Sequence, residues 1–210
     1  MSRSSGIRST LMVYFFLNST LLTFRLTTCG KFAGFYAGIT AHTPRQCVID
    51  GAAAARAAEA DLLVAIGGGS VIDATKVMLL CLWHDIRTTQ GLDPHRGGRH
   101  QDPSHWPADA VNHIRMLATP TMFSAAEFTY YAGVTDPTRP VKESFSHPLF
   151  VPQVVVLDPR ATLASPIPNL VATGMKALDH AVERLCALRA SPLADAAATS
   201  ALKLLHASLP

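Results

Sequence analysis

The sequence predicts an α/β fold: a mainly parallel sheet layered with helices, followed by a helical region. Three observations carry that expectation. Residues 62–66 form an unbroken apolar run of strand length, the pattern of a parallel strand covered on both faces, and residues 153–157, a Gln followed by four apolar residues, read as another strand. Helical patterns alternate with such runs, which is the order of βα units. Gly67, Gly68 and Gly69 stand between the first run and a helical pattern.

The elements follow in order. Arg3 and Arg8 precede an apolar run at 11–17, which Asn18, Ser19 and Thr20 interrupt, and no acidic residue occurs before Asp50. Two readings apply to residues 1–30: an ordinary first strand packed on the domain, or a targeting segment. The run is too short and too polar in its middle to span a bilayer. Residues 32–39 read as a strand. Thr43 is then expected to cap a helix, with Pro44 at its first position and Gln46 reaching back to the cap. The Ala-rich stretch 51–60 continues this helix and is slim enough to lie close against a sheet. After strand 62–66, Ser70 is the expected cap of the next helix, with Asp73 three residues on as its capping-box partner. That helix runs through Lys76 to about Trp83 and is apolar nearly all round, so it should be largely buried. Asp73 reads as a cap residue, while Lys76 has two readings, a helix-surface charge or a working position of the stretch 61–76.

Residues 84–112 are polar and rich in Gly, Pro and His, a long loop. Residues 114–118 and 153–157 read as further strands, the second ended by Asp158 and Pro159. Beyond Pro168, Val171, Met175, Leu178, Val182 and Leu185 recur at helical spacing and are expected to form one buried stripe. A second Ala-rich helix extends from Ser191 to near Leu205.

Composition sets outer bounds. The 210 residues are 49% hydrophobic and 16% charged, which suits a packed protein and excludes a mostly disordered one. No repeat or heptad array is present, so fibres and solenoids are excluded. The formal net charge is +3, with basic residues scattered and not interleaved with aromatics, so a nucleic-acid partner is not expected. Cys29, Cys47, Cys81 and Cys186 form no CxxC pair and read as reduced packing residues of an intracellular protein. His95, His100, His105 and His113 show no ligand-like spacing and are expected to be solvated.

The triple glycine is the motif with chemical content. Glycines let a backbone approach a ligand without side chains between them. A helix start just beyond offers free N–H groups and the positive end of the dipole to an anion, most often a phosphate. In open α/β sheets ligands bind at the carboxyl ends of the strands, where this turn should lie. The spacing is neither a Walker A loop nor GxGxxG, and a tight turn with no ligand remains the alternative.

Residues 61–76, DLLVAIGGGSVIDATK, resemble the nucleotide-binding signature of the iron-containing alcohol dehydrogenase family. Further matching pieces follow in the family's order: PTMFSAAEFT at 120–129, Lys142, VLDP at 156–159, and TGMKALDHAVE at 173–183. The form of the second piece is closer to the maleylacetate reductase branch, and the match covers about residues 32–210. The resemblance implies a Rossmann-like nucleotide-binding domain over 31–165, after an atypical segment 1–30. At 166–210 it implies the beginning of an all-helical domain, in a dehydroquinate synthase-like architecture. It implies NAD or NADP as cofactor, with Gly67, Gly68, Gly69 and Ser70 on the pyrophosphate, Thr121 and Ser124 along the cofactor, and Lys142 near its nicotinamide-ribose end. The implied reaction moves a hydride between nicotinamide and a small carbonyl or alcohol substrate, in the cytoplasm or in an organelle addressed by residues 1–30. A homodimer is the candidate assembly, and no membrane partner is expected.

Iron- or zinc-dependent members of the family carry an Asp and, four residues later, a His on the helix after Thr-Gly. Here the His is His180, but Lys176 holds the Asp position, and a protonated lysine has no lone pair for a cation. His180 is the one metal-ligand position retained, and a complete family-type metal centre is not expected in one copy. Lys176 has two readings: an ammonium that stabilises the alkoxide-like oxygen in the cleft, or a surface partner of Asp179 or Glu183. His180 is the second catalytic candidate. The alternative for the whole chain is a truncated fragment that at most binds nucleotide.

Overall fold

A computed structural model describes residues 11–15, 32–97, 114–139, 141–189 and 191–209. Its strands are β1 (Leu11–Phe15), β2 (Phe32–Tyr36), β3 (Leu62–Gly67), β4 (Arg115–Pro120), β5 (Tyr131–Asp136), β6 (Val141–Ser146) and β7 (Val154–Val155). Its helices are α1 (Arg45–Ala57), α2 (Gly69–Trp83), α3 (Ile167–Leu185) and α4 (Pro192–Ser208). The main sheet has the spatial order β2-β1-β3-β4-β7, and every pairing in it is parallel. From β1 the chain moves outward to β2, then returns past β1 to β3 and continues to β4 and β7. The direction reverses between β1 and β3, and a crevice for a ligand opens above the carboxyl ends of strands at such a point.

The apolar run near the start is an ordinary strand: β1 pairs with β3 from Leu11↔Leu62 to Phe15↔Ile66. Residues 1–10 and 16–31, with Cys29, lie outside the described residues. Among the described residues no helix is long and apolar enough to cross a membrane. The strand expected at 32–39 ends at Tyr36, and the one expected at 153–157 is regular only at Val154–Val155. The expected loop at 84–112 contains a short 3-10 helix, Gln90–His95. Its His95 is half-buried rather than solvated and lies against the His84 ring, centroids 4.8 Å apart. His100, His105 and His113 lie outside the described residues.

Helix α2 is buried nearly all round because the sheet covers one side and a β-hairpin the other. Ile72, Met78 and Leu79 are fully buried, and each such side chain stabilises the fold by roughly 1.5–3 kcal/mol. The hairpin, β5 with β6 in register from Tyr131↔Ser146 to Asp136↔Val141, was not expected. Its signal is faint. Residues alternate in burial along β5, and an Asp-Pro turn follows, but the strands carry Lys142, Glu143 and Ser144 instead of an apolar run. Buried Arg45 of α1 pins this hairpin, donating from Nε to Glu143 (2.8 Å), from Nη2 to Asp93 (2.7 Å) and from Nη1 to the Thr89 carbonyl (2.7 Å).

Both expected helix caps are replaced. The residue before α1 is Pro44, and Thr43, with φ 53°, turns its hydroxyl to the Ser70 carbonyl at 3.1 Å; Gln46 bonds Asp50 instead. Helix α2 begins on Gly69 with Gly68 as its cap, so Ser70 lies inside the first turn. The apolar stripe of α3 is not buried: Met175 is 51% exposed, and Val182 and Leu185 are 42% exposed. The helix packs through its small residues instead. Gly174 and Ala181 are its buried positions, and a Cβ at Gly174 would meet Leu209 at 2.6 Å. Cys47 and Cys81 are buried packing thiols as expected, whereas Cys186 is exposed.

Candidate functional site

The site grows from the end of β3. Gly67 pairs with Pro120 at the end of β4, and the Thr121 N–H donates to the Gly67 carbonyl at 3.0 Å, so two adjacent strand ends form one rim. Gly67 is buried, while Gly68, Gly69 and Ser70 are half-exposed on that rim. The first donors of the α2 ladder are Val71 and Ile72, both to the Gly68 carbonyl, at 3.0 and 3.2 Å. The amides of Gly69 and Ser70 precede that ladder at the positive end of the helix dipole.

Two of the glycines are required by close approach. A Cβ at Gly67 would sit 2.6 Å from Val71 Cγ2, a stiff β-branched neighbour, and one at Gly69 would sit 2.9 Å from Ser124 Oγ. Ser124 therefore faces the first residue of α2 directly. The Thr121 carbonyl accepts from Ser165 Oγ at 2.9 Å, two residues before α3 begins. Two residues beyond Thr121, the Phe123 N–H donates to Thr173 Oγ1 at 3.3 Å. The expected cofactor-binding residues Gly67, Gly68, Gly69, Ser70, Thr121 and Ser124 are thus brought together in one place.

Beside the rim, a cleft of about 370 Å³ opens above the ends of β4 and β7, walled by Pro120, Met122, Phe123, Leu157 and Pro159. Glu127 also lines it and is 4% exposed. Its Oε2 has no hydrogen-bond partner among the described residues, and burial pushes its carboxyl above the usual range.

The charges around α2 differ from expectation. Asp73 is not a cap: Oδ2 accepts the Gly133 N–H of β5 at 3.0 Å, and burial raises its pKa although that bond opposes the shift. Lys76 is not on the helix surface. It is fully buried, and its Nζ donates toward the carbonyls of Ala126 (2.6 Å), Thr129 (2.8 Å) and Tyr131 (2.9 Å) and the Thr129 hydroxyl (3.0 Å). Burial lowers its pKa to about 8, against the pull of Asp73 and Glu127. Lys142 lies on β6 with its side chain over Gly133, on the flank of α2 where its charge reaches Asp73.

Lys176 and His180 are exposed on α3, three and seven residues beyond Thr173, so all three share one side of the helix. Lys176 pairs with Asp179, and that hydrogen bond holds its ammonium above the usual range. No three His, Cys, Asp or Glu residues converge on a metal-sized point among the described residues. With a lysine one turn before His180, these residues do not fit an iron or zinc ion. The glycine turn, by contrast, fits a diphosphate: two amides lie outside the helix ladder, and Gly69 is bare where the Ser124 hydroxyl approaches.

The expected motif residues were legible because each is local in sequence. Lys76, Glu127, Thr43 and the Thr173 contact acquire their places only through residues 27 to 55 positions away. Lys76, Glu127 and Thr173 stand within the motifs DLLVAIGGGSVIDATK, PTMFSAAEFT and TGMKALDHAVE, but those motifs do not say what their side chains touch.

An open parallel sheet with a glycine turn at the carboxyl edge of its switch-point strand defines the class of nucleotide-binding α/β proteins. The model of the family described as iron-containing alcohol dehydrogenase matches residues 19–159, and the chain belongs to that family. The match begins earlier than residue 32, where the motifs alone place the start of the resemblance. Dehydrogenase ALT3 of Alternaria alternata is 36% identical over 155 residues, covering 74% of this chain and 39% of that protein. Maleylacetate reductase 2 of Cupriavidus pinatubonensis is 30% identical over 178 residues, covering 85% of this chain and 41% of that protein. Among solved structures, sulfoacetaldehyde reductase from Bifidobacterium kashiwanohense in complex with NAD+ shares the fold. Its TM-score is 0.77 at 24% identity, over 94% of this chain and 50% of that chain. The chain spans about two fifths of the length of these curated relatives. Members of the family are oxidoreductases.

Proposed function

We propose that this chain carries the nucleotide-binding part of an NAD(P)-dependent oxidoreductase of the maleylacetate reductase type. The observation that carries the reading is the half-exposed glycine turn, with the Gly69 and Ser70 amides ahead of the helix ladder and Ser124 facing Gly69. It is supported by the maleylacetate reductase among the relatives and by the fold shared with a reductase solved with NAD+.

In this reading residues 31–165 form the nucleotide domain and 166–210 begin the helical one. The amides of Gly69 and Ser70 bind the cofactor's diphosphate, and the Ser124 hydroxyl supplies a further polar contact there. Thr121 ties the two strand ends into one rim, and Lys142 flanks the cofactor's ribose end with a positive charge. A nicotinamide bound at this rim supplies the hydride exchanged with a carbonyl carbon. Lys176 and His180 share the side of α3 that reaches the rim through Thr173. They are assigned to the substrate oxygen: Lys176 leaves its partner Asp179 to stabilise developing negative charge, and His180 holds or delivers the proton. A small carbonyl or alcohol is the substrate, a homodimer the assembly, and the cytoplasm the location, in keeping with the free thiols of Cys47, Cys81 and Cys186.

The test is titration of the full chain with NADH and NADPH by fluorescence, followed by NADH oxidation with maleylacetate and with short aldehydes. Saturable binding of either nucleotide is expected, and faster turnover with maleylacetate than with aldehydes. No binding of either nucleotide at millimolar concentration overturns the reading.

A further inference from the structure

We infer that Lys76 is a positioning residue: by gathering the backbone of 126–131 around its Nζ, it holds Ser124 against Gly69 and so shapes the phosphate cradle. The inference rests on the nucleotide reading of the glycine turn.

The geometry is specific. All four oxygens around Nζ belong to one stretch of six residues, the carbonyls of Ala126, Thr129 and Tyr131 and the Thr129 hydroxyl. An ammonium has three N–H donors and no acceptor, so it draws oxygens inward around it. The Thr129 hydroxyl also lies within hydrogen-bond reach of the Ala126 and Tyr131 carbonyls, at 3.1 and 3.3 Å, which closes the ring.

The stretch begins immediately after the residues that face the glycine turn. Ala125 has φ 57°, a left-handed conformation that an alanine does not adopt without being held. On its far side Ser124 Oγ accepts the Ala126 N–H at 3.4 Å and lies 2.9 Å from where a Cβ of Gly69 would be. Lys76 fixes Ala126 through its carbonyl, the left-handed Ala125 turns the chain, and Ser124 arrives at Gly69. Lys76 and Gly69 stand on one helix, two turns apart, so the cradle's floor and the anchor of its wall move as one body.

The charged groups facing Lys76 are Asp73 of its own helix and Glu127 of the gathered stretch, with Lys142 of β6 beyond Asp73. Among the described residues neither carboxylate hydrogen-bonds Nζ; its bonds go to three backbone carbonyls and the Thr129 hydroxyl. A lysine serving only to balance these carboxylates would need no such ring of carbonyls.

The test is a double-mutant cycle on the full chain, read by NADH titration with thermal melting alongside. Lys76→Met and Ser124→Ala should each weaken NADH binding about five- to tenfold. If Lys76 acts through Ser124, the double variant binds within twofold of the weaker single variant. Lys76→Arg should recover most of the loss. Thr129→Val removes one oxygen of the ring while keeping the shape, and should weaken binding two- to threefold with melting nearly unchanged. It also serves should Lys76→Met fail to fold.

A Lys76→Met chain that binds NADH as the parent does, or losses that multiply in the double variant, overturns the inference. If the parent binds no NADH, the nucleotide reading fails by itself. The role of Lys76 is then decided by hydrogen exchange in Thr129→Val. Selective loss of protection at the Phe128 and Thr129 amides supports the anchor, and unchanged protection there overturns it.

Discussion

At Gly69 the backbone comes so close to Ser124 that a methyl group has no room: the built Cβ would lie 2.9 Å from the hydroxyl oxygen. The same position is the first residue of α2, where alanine is intrinsically better than glycine by about 1 kcal/mol. These two effects act on different quantities. Gly69→Ala should leave the urea midpoint close to that of the parent, because helix propensity offsets the push on Ser124. It should weaken NADH binding about tenfold, equivalent to about 1.4 kcal/mol. Fluorescence titration beside urea unfolding measures both. A variant that loses stability and keeps its affinity would show that the glycine serves packing alone. Residue identity at this rim was readable in the sequence because three successive glycines between a strand and a helix have few other uses. The neighbour that makes Gly69 necessary was not, since Ser124 is brought there by the return of β4.

The elements are joined by a charged knot as well as by apolar packing. Arg45 at the start of α1 is 3% exposed and bonds Glu143 of β6, itself nearly buried, together with Asp93 of the short 3-10 helix. Removing Arg45 leaves the nearly buried Glu143 to Arg96 and Arg139, each 3.3 Å away and more than a third exposed, and leaves Asp93 to solvent and the same two arginines. Arg45→Met should therefore destabilise the fold, by less than the roughly 3–5 kcal/mol of a buried charge left with no partner. The double variant Arg45→Met, Glu143→Leu should lose less than the single one, since the buried carboxylate that had lost its closest cation is then gone. Chemical denaturation of the two variants decides it, and equal losses would mean that the helix start, not the ion pair, carries the effect. The hairpin end of this knot shows where element reading fails. An apolar run announces β3, but β5 and β6 are half-polar and owe their pairing to α2 and Arg45. The expected stripe of α3 failed for a related reason. Periodicity identifies which side of a helix is apolar, yet Gly174, against Leu209, and Ala181 are the buried positions, and large residues such as Met175 are left outside.

Across the whole molecule the apolar surface is uneven. The core lies around α2, between the sheet and the hairpin, whereas α3 and α4 pack on one another and expose Met175, Val182, Leu193 and Leu204. Contiguous exposed apolar surface attracts apolar ligands. The full chain should therefore enhance the fluorescence of a dye such as ANS while native. Val182→Lys combined with Leu204→Glu should cut that signal by about half. Both positions are exposed, at 42% and 66%, so the unfolding free energy should change by no more than about 0.5 kcal/mol. A signal unchanged by the pair of substitutions would place the dye in the cleft beside Phe123 instead.

The family, the α/β class, the parallel strands and the glycine turn were determined by the sequence alone, because each depends on residues adjacent in the chain: an apolar run, a glycine triplet, a helical period. The partners were decided only by the tertiary structure. Lys76 looks like a surface charge until the 126–131 segment wraps it, Asp73 looks like a cap until Gly133 arrives, and Lys176 has two readings that only the company of Asp179 begins to separate. Short-range order is encoded by stereochemistry and burial period, which a window of residues contains. The chemistry of a charged side chain is set by the solvent it loses and the dipoles it meets, and segments fifty residues apart supply those.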